Sequence, residues 1–367
     1  MVIDEYARLE ILIPDEQNWR HISEQDIIQN SLSIAEKCMD DSSFSIGGVF
    51  SAQLSAKFRL QGTNSFNIIG SKINVFSWFG DEETAINNKT VRFRGVFWVT
   101  SATKINDIYT ISASDAMIWL DSVNYGDNAN GSNPIYDVLS HDRYGLNECL
   151  KIIIEQTNYI LNGITELKYI DNSDIINNDT DDIGYCLLPK DIVGEISTKN
   201  PRDYVSWIAE LACGFAYICY KQDGFHEPYV QGGDHEPYIK IGQFNNENVV
   251  EINRDEVELN TLEIVDFVLN FSRVYCQFYD GINPSTFNSN GGITIDISDN
   301  LFKDGWYQYL GDKNCYGIVD VMYGIIIDMS HYFRPFKLKC HGRKHFGLRQ
   351  KIRLPDGRFS VITSIKW

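Results

Sequence analysis

The chain has 367 residues, 43% hydrophobic and 22% charged, which is ordinary globular usage and long enough for two or three domains. With 32 Lys+Arg against 50 Asp+Glu the formal charge is −18, so the surface repels phosphate backbones and a conventional nucleic-acid binder is not expected. An acidic channel wall would let DNA slide past; the plainer meaning of the charge is solubility. Met1-Val2-Ile3-Asp4-Glu5 places acid where a secretory signal has base, and Leu211 to Tyr220 is half the ~20 apolar residues that cross a bilayer. The expectation is a protein without membrane contact, folded where it is made. Its eight cysteines form no C-x-x-C pair and are expected to be reduced, without disulfides.

The aromatic share of 13%, with Tyr 20 and Phe 20, favours a β-rich architecture. Gln53 to Leu60 alternates strictly, with Leu54, Ala56, Phe58 and Leu60 on one face of a strand. Val91 to Arg94 alternates too, and Gly95 allows a bulge before Val96-Phe97-Trp98-Val99. Ile105-Asn106-Asp107-Ile108 reads as a turn into a strand over Tyr109 to Ala113. Asp121 to Asn133 is a polar, Gly/Asn-rich linker. Leu146, Leu150, Ile153, Ile154 and Leu161 fall at helical spacing, and Ile170 to Gly184 is an acidic, Asn-rich loop. Asn200-Pro201-Arg202-Asp203 opens a second helix: Asn200 caps, Pro201 fits the first turn and Asp203 suits the positive end. Its buried stripe is Tyr204, Trp207, Ile208 and Leu211. A strand follows over Phe215 to Tyr220, ending at a turn over Gln222-Asp223-Gly224. Strands return at Leu262 to Val265 and Arg273 to Phe278. Then come an Asn/Ser/Gly loop over Asn283 to Gly292 and a helix over Tyr316 to Tyr332. Lys351 to Leu354 and Phe359 to Ile362 form a closing hairpin around Pro355-Asp356-Gly357-Arg358.

No P-loop, G-x-G-x-x-G, G-x-S-x-G or H-E-x-x-H motif is present. Three weaker constellations remain. His226-Glu227-Pro228-Tyr229 recurs as His235-Glu236-Pro237-Tyr238, a possible ligand set if a hairpin folds the copies together; repeated turn signals on a surface β-arm are the expected reading. Cys340 and His341 with His345 lack the second pair that a zinc site needs. The acids from Asp171 to Asp182, with Asp179, Asp181 and Asp182 close together, lack the fixed offsets of a calcium loop despite Gly184. No catalytic, cofactor-binding or metal residue is therefore assigned, no cofactor is expected, and no pair among the 50 acids stands out for glycoside cleavage.

Eight further stretches belong together: Asp26 to Ile34, Phe44 to Leu54, Arg94 to Val99, Ala113 to Met117, Pro201 to Ala209, Cys213 to Ala216, Ile297 to Phe302 and Tyr332 to Phe336. In these the chain resembles tail hub proteins from prophages of Gram-positive bacteria. The order and spacing of the stretches span nearly the whole chain. The chain departs from the family pattern at Leu301, often Pro, and at Arg349-Gln350, often Gly-Asp.

The resemblance implies a non-enzymatic phage tail or baseplate hub: a homotrimeric ring joining the tail tube to the central spike around a lumen. The implied fold is α+β and β-rich, with two tube-like β-barrels flanking a mixed middle. The expected domains are 1–122 for the first barrel, 123–245 for the middle, and 246–367 for the second barrel with a helical insertion near 281–334. The implied partners are copies of itself, a tail tube or distal tube initiator protein, the central spike, the tape-measure protein and other baseplate proteins. Neither specific nucleic-acid binding nor membrane association is implied. The place of action would be the tail of a virion or tail-like particle assembled in the bacterial cytoplasm. With the chain ending at Trp367, spike and lytic functions are expected on separate subunits. The competing classes are a tail-associated cell-wall hydrolase, marked by a cleft with perturbed carboxylates, and a carbohydrate-binding module using Trp78, Trp98 or Trp306.

Overall fold

A computed structural model describes residues 5–14, 16–39, 45–60, 67–88, 90–123, 144–162, 199–220, 235–243, 249–264, 271–277, 292–303, 322–326, 335–340 and 350–367. Positions 135, 139, 167–169, 185–186, 285–288 and 348 are also described. The fold is α+β and β-rich.

The first third supplies β1 (Glu5–Leu12), β2 (Arg20–Ile22), β3 (Ser33–Lys37), β4 (Gly48–Val49), β5 (Gln53–Arg59), β6 (Lys72–Phe79), α1 (Glu82–Asn87), β7 (Arg92–Ile105) and β8 (Ile108–Ser114). The middle supplies β9 (Tyr144–Gly145), α2 (Leu146–Leu161), β10 (Lys168–Tyr169), β11 (Tyr185–Cys186), α3 (Pro201–Leu211), β12 (Gly214–Tyr220) and β13 (Pro237–Gln243). The last third holds short strands: β14 (Val250–Glu251), β15 (Glu263–Ile264), β16 (Phe271–Cys276), β17 (Ser285–Asn288), β18 (Ile293–Asp296), β19 (Phe336–Lys337), β20 (Lys351–Arg353), β21 (Phe359–Val361) and β22 (Ser364–Lys366).

Seven N-terminal strands and β22 form one antiparallel sheet in the order β2-β1-β6-β7-β8-β5-β3-β22. It curls strongly, because the Trp367 indole just beyond β22 donates to Glu5 of β1 at 2.7 Å. Its concave face packs Leu9, Ile22, Leu54, Phe58, Val75 and Ile111 into one core. The alternation in β5 is complete, every second residue buried. The two alternating runs on either side of Gly95 form one strand: β7 runs unbroken through Gly95, which sits at φ 141° where the pairing with β6 slips by a residue. The expected bulge is there, but it bends the strand without ending it. No sheet among the described residues closes into a barrel.

A second core joins α2 and α3 to β12 and β13, and draws in Phe271, Val274, Phe302 and Met322 from the last third. The sheet here runs β10-β13-β12-β4, so a strand from the N-terminal segment completes it. A small third core gathers Ile252, Ile352, Leu354 and Ile362. The expected loop over Asn283 to Gly292 is partly strand, since β17 pairs with β16. Residues 322–326 of the expected last helix are helical. Most of the linker over Asp121 to Asn133, the loop over Ile170 to Gly184 and the turn over Gln222 to Gly224 lie outside the described residues.

One local unit occurs twice. A 3-10 turn over Glu24–Asp26 leads to Ile27, which bridges Phe58; the turn over Arg254–Glu256 leads to Val257, which bridges Cys340. The amide of Ile28 bonds the Lys57 carbonyl at 2.8 Å, and that of Glu258 bonds the Lys339 carbonyl at 2.9 Å. Asn30 and Asn260 both take the left-handed conformation, at φ 59° and 63°. The hydroxyls of Ser31 and Thr261 each accept from the facing lysine amide at 3.1 Å. Each unit then enters a short strand, Ser33 opposite Ser55 and Glu263 opposite Lys337.

Candidate functional site

The Asn200 carboxamide accepts from the Asp203 amide at 3.1 Å while the Asp203 carboxylate accepts from the Asn200 amide at 2.9 Å, so both ends of the expected cap are made. Pro201 fills the first helical position. The cap sets Arg202 facing the N-terminal segment. Its guanidinium donates to the Val49 carbonyl, to the Met117 carbonyl at 2.9 Å, to Ser51 Oγ at 3.2 Å and to both Asp121 carboxylate oxygens. One turn on, Ser206 Oγ donates to the Gly47 carbonyl at 2.6 Å, and the Gly47 amide donates to the Gly214 carbonyl at 2.7 Å. Gly48 is glycine for close approach: a Cβ there would sit 2.2 Å from the Cys38 carbonyl oxygen.

Beside these contacts α3 also receives the last third of the chain. Asn300 Nδ2 donates to the Trp207 carbonyl at 3.0 Å and to Glu210 Oε2 at 2.7 Å. Tyr204, Trp207 and Phe302 pack tilted or edge to face. Burial pushes the Glu210 carboxyl up to about 8; Asp299 and Asp296 add to the shift, and the Asn300 bond and Lys303 oppose it. The result is a three-way joint around α3, holding the first sheet, the middle sheet and the Ile293–Lys303 region together.

Beside the joint lies a cavity of about 460 Å³ lined by Glu36, Arg94, Asp115, Phe215, Tyr220 and Trp367, among others. Burial raises Asp115 to about 7 and also raises Glu36, against the pull of Arg94. Both Asp115 oxygens accept backbone amides, Oδ2 from Ala52 at 3.0 Å and Oδ1 from Met117 at 3.1 Å. Tyr220 Oη accepts from the Val96 amide at 2.8 Å, tying β12 to the bulge of β7. Asp115 and Tyr220 are therefore braces.

Of the weaker constellations, the first copy, His226 to Tyr229, lies outside the described residues. In the second, His235 stacks on Phe93 with ring centres 3.9 Å apart, and Glu236 pairs with Lys168 at 2.6 Å. Cys340 bridges Val257, while His341 and His345 lie outside the described residues, as do Asp171 to Asp182. Among the described residues no group of three or more His, Cys, Asp or Glu is placed to hold a metal. Trp78 is buried and Trp98 packs edge-on against Trp119, so neither offers a sugar platform; Trp306 is not described. The roles of Arg202 and Asn300 carried no motif of their own in the sequence. The repeated turn did leave a signal: Ile27-Ile28-Gln29-Asn30-Ser31-Leu32-Ser33-Ile34 aligns with Val257-Glu258-Leu259-Asn260-Thr261-Leu262-Glu263-Ile264.

No family model matches the chain, and no curated protein does. Among solved structures it is similar to the crystal structure of prophage tail protein gp18 from Listeria monocytogenes EGD-e. The identity is 13%, the match covers 98% of this chain and 90% of that one, and the TM-score is 0.49.

Proposed function

We propose that this chain is a non-enzymatic structural subunit of a phage-type tail, and within it the baseplate hub: a homotrimeric ring between tail tube and central spike. The observation that carries the reading is where the hub-like sequence stretches meet. Those around Gly47, Met117, Arg202, Gly214 and Asn300 are far apart in sequence, yet they converge on the joint around α3. Residues spent on joining three parts of a chain suit a load-transmitting subunit. The repeated turn at Glu24–Ile34 and Arg254–Ile264 supports the proposed pair of tube-like units, 1–122 and 246–367, around a middle unit 123–245.

The hydrolase alternative needs a carboxyl available to substrate. Two acids in the cavity are raised, Glu36 and Asp115; Asp115 has both oxygens engaged by backbone amides, which makes it a brace, and Glu36 is held against the pull of Arg94. The proposed partners are the tube or its distal initiator, the spike and the tape-measure protein. Antibody-gold labelling and cryo-electron microscopy of the particles should place three copies at the tube–spike junction. Label on the shaft or fibres, or two copies per particle, overturns the hub assignment. Release of reducing sugar from purified cell wall, abolished in Asp115→Asn, overturns the non-enzymatic reading.

A further inference from the structure

The convex face of the curled sheet differs in charge from the molecule that carries it. Across β3, β5, β8 and the distal half of β7, outward residues align in rows. Ser33, Ser55, Ser112 and Ser101 form one row; Lys57, Thr110 and Thr103 form the next; Arg59, Ile108 and Ile105 form a third. β22 adds Ser364 and Lys366 on the flank of β3. None of the outward positions on these five strands is Asp or Glu, although the chain has 50 acids against 32 bases. The acids nearby lie off this face: Glu36 turns to the cavity on the other face of β3, and Asp107 sits in the turn beyond the strands. Asp26, in the turn before the Ile27–Phe58 bridge, lies at the rim next to Arg59 and accepts from Ser23. Lys57, Arg59 and Lys366 are exposed, and Ile105 at the hairpin tip is 73% exposed. Beyond Val99, β7 has no partner on its β6 side among the described strands.

We propose that this face docks a second copy of this chain, head to tail, against an acidic surface elsewhere on the neighbour. Charge complementarity selects both occupant and geometry. The rest of the chain carries a net charge more negative than the −18 of the whole, because this face takes cations and no carboxylates. Most other surfaces of a neighbouring copy therefore attract it. Two such faces meeting across a two-fold axis would set Lys57 and Arg59 against the same cations, so the isologous arrangement is disfavoured. A heterologous contact closes into a ring when its rotation allows. The small hydroxyl side chains of the serine row let a neighbour approach the sheet closely, and Ile105 gives the contact an apolar end. The inference rests on the self-assembling reading above and gives that ring its interface.

Lys57→Glu/Arg59→Glu tests it, with Lys151→Glu on the exposed side of α2 as a charge-reversed control. Circular dichroism and melting temperature first establish that both variants fold as the parent does. By sedimentation velocity and mass photometry, the parent should form species larger than a dimer. The double variant should associate at least about tenfold more weakly and the control like the parent. In a mixture of 14N- and 15N-labelled protein, carbodiimide should join Lys57 or Lys366 of one copy to a carboxylate of another. A double variant that assembles like the parent, or a parent limited to symmetric dimers, overturns the proposal. A parent that stays monomeric at its solubility limit also overturns it, while the hub assignment then stands or falls on the particle labelling.

Discussion

Arg202 satisfies four partners in the N-terminal segment from one side chain, two of them backbone carbonyls. Such a planar fork cannot be replaced by the single ammonium of lysine. Arg202→Ala should cost about 2–4 kcal/mol in urea unfolding, with Arg202→Lys recovering less than half, since charged hydrogen bonds and their stranded partners each weigh ~1.5–3 kcal/mol. Glu210 and Asp115 predict a pH dependence. Both carboxyls titrate higher in the folded chain, at about 8 and about 7, than the ordinary carboxylate range near 4 of an unfolded chain. Between about pH 4 and 8 the folded state thus holds more protons, and stability falls as pH rises through that window. Urea midpoints should decline from pH 5.5 to 8.5. Glu210→Gln, which keeps an oxygen to accept from Asn300, should raise the midpoint at pH 8.5 and flatten the decline. An unchanged slope would mean that Glu210 is ionised in the folded chain.

Among the elements, α3 is the one whose chemistry is most plainly written. Its capping box, first-turn proline and buried stripe of Tyr204, Trp207, Ile208 and Leu211 were all readable from residue type and spacing. Asn200→Ala should cost about 1 kcal/mol by thermal or urea unfolding, because it removes the side-chain acceptor from the Asp203 amide and leaves that amide only the Asn200 carbonyl. The repeated turn predicts a paired result. Asn30→Ala and Asn260→Ala should each destabilise by about 1 kcal/mol, the cost of a Cβ-bearing residue in the left-handed region without the local polar compensation of asparagine. Glycine at either position should be tolerated. A large loss at one site and none at the other would show that the two turns are not equivalent supports.

The whole molecule is held by contacts between its extremes. Trp367 bonds Glu5 through its indole nitrogen, and Arg94, itself bonded to Glu5 at 2.6 Å, stacks over the Trp367 ring with 4.7 Å between guanidinium carbon and ring centre. β22 meanwhile covers the edge of β3. Trp367→Ala should therefore lower the melting temperature and speed proteolysis near the C-terminus. With that anchor loosened, the edge over Ser33 to Lys37 loses its cover, so aggregation should also increase. Unchanged proteolysis and melting would show that β22 holds without its anchor.

The sequence by itself determined whatever depends on neighbours a few residues away. That includes the alternation of β5, the bulge at Gly95, the turn at Asn106-Asp107, the periodicity of α2, the cap of α3 and the closing hairpin, where Leu354 and Arg358 bond across Gly357. These follow from backbone stereochemistry and from the two periods, near 2 and 3.6, that separate a strand from a helix. Only the tertiary structure decided which distant segments meet. No local pattern says that β22 completes the first sheet, that β4 leaves the N-terminal segment for the middle sheet, or that Asn300 reaches α3. Such contacts depend on which apolar faces and unpaired edges remain exposed once local elements form, and that is a property of the whole chain. The joint was thus present in the sequence only as scattered short stretches, and folding around α3 made them one site.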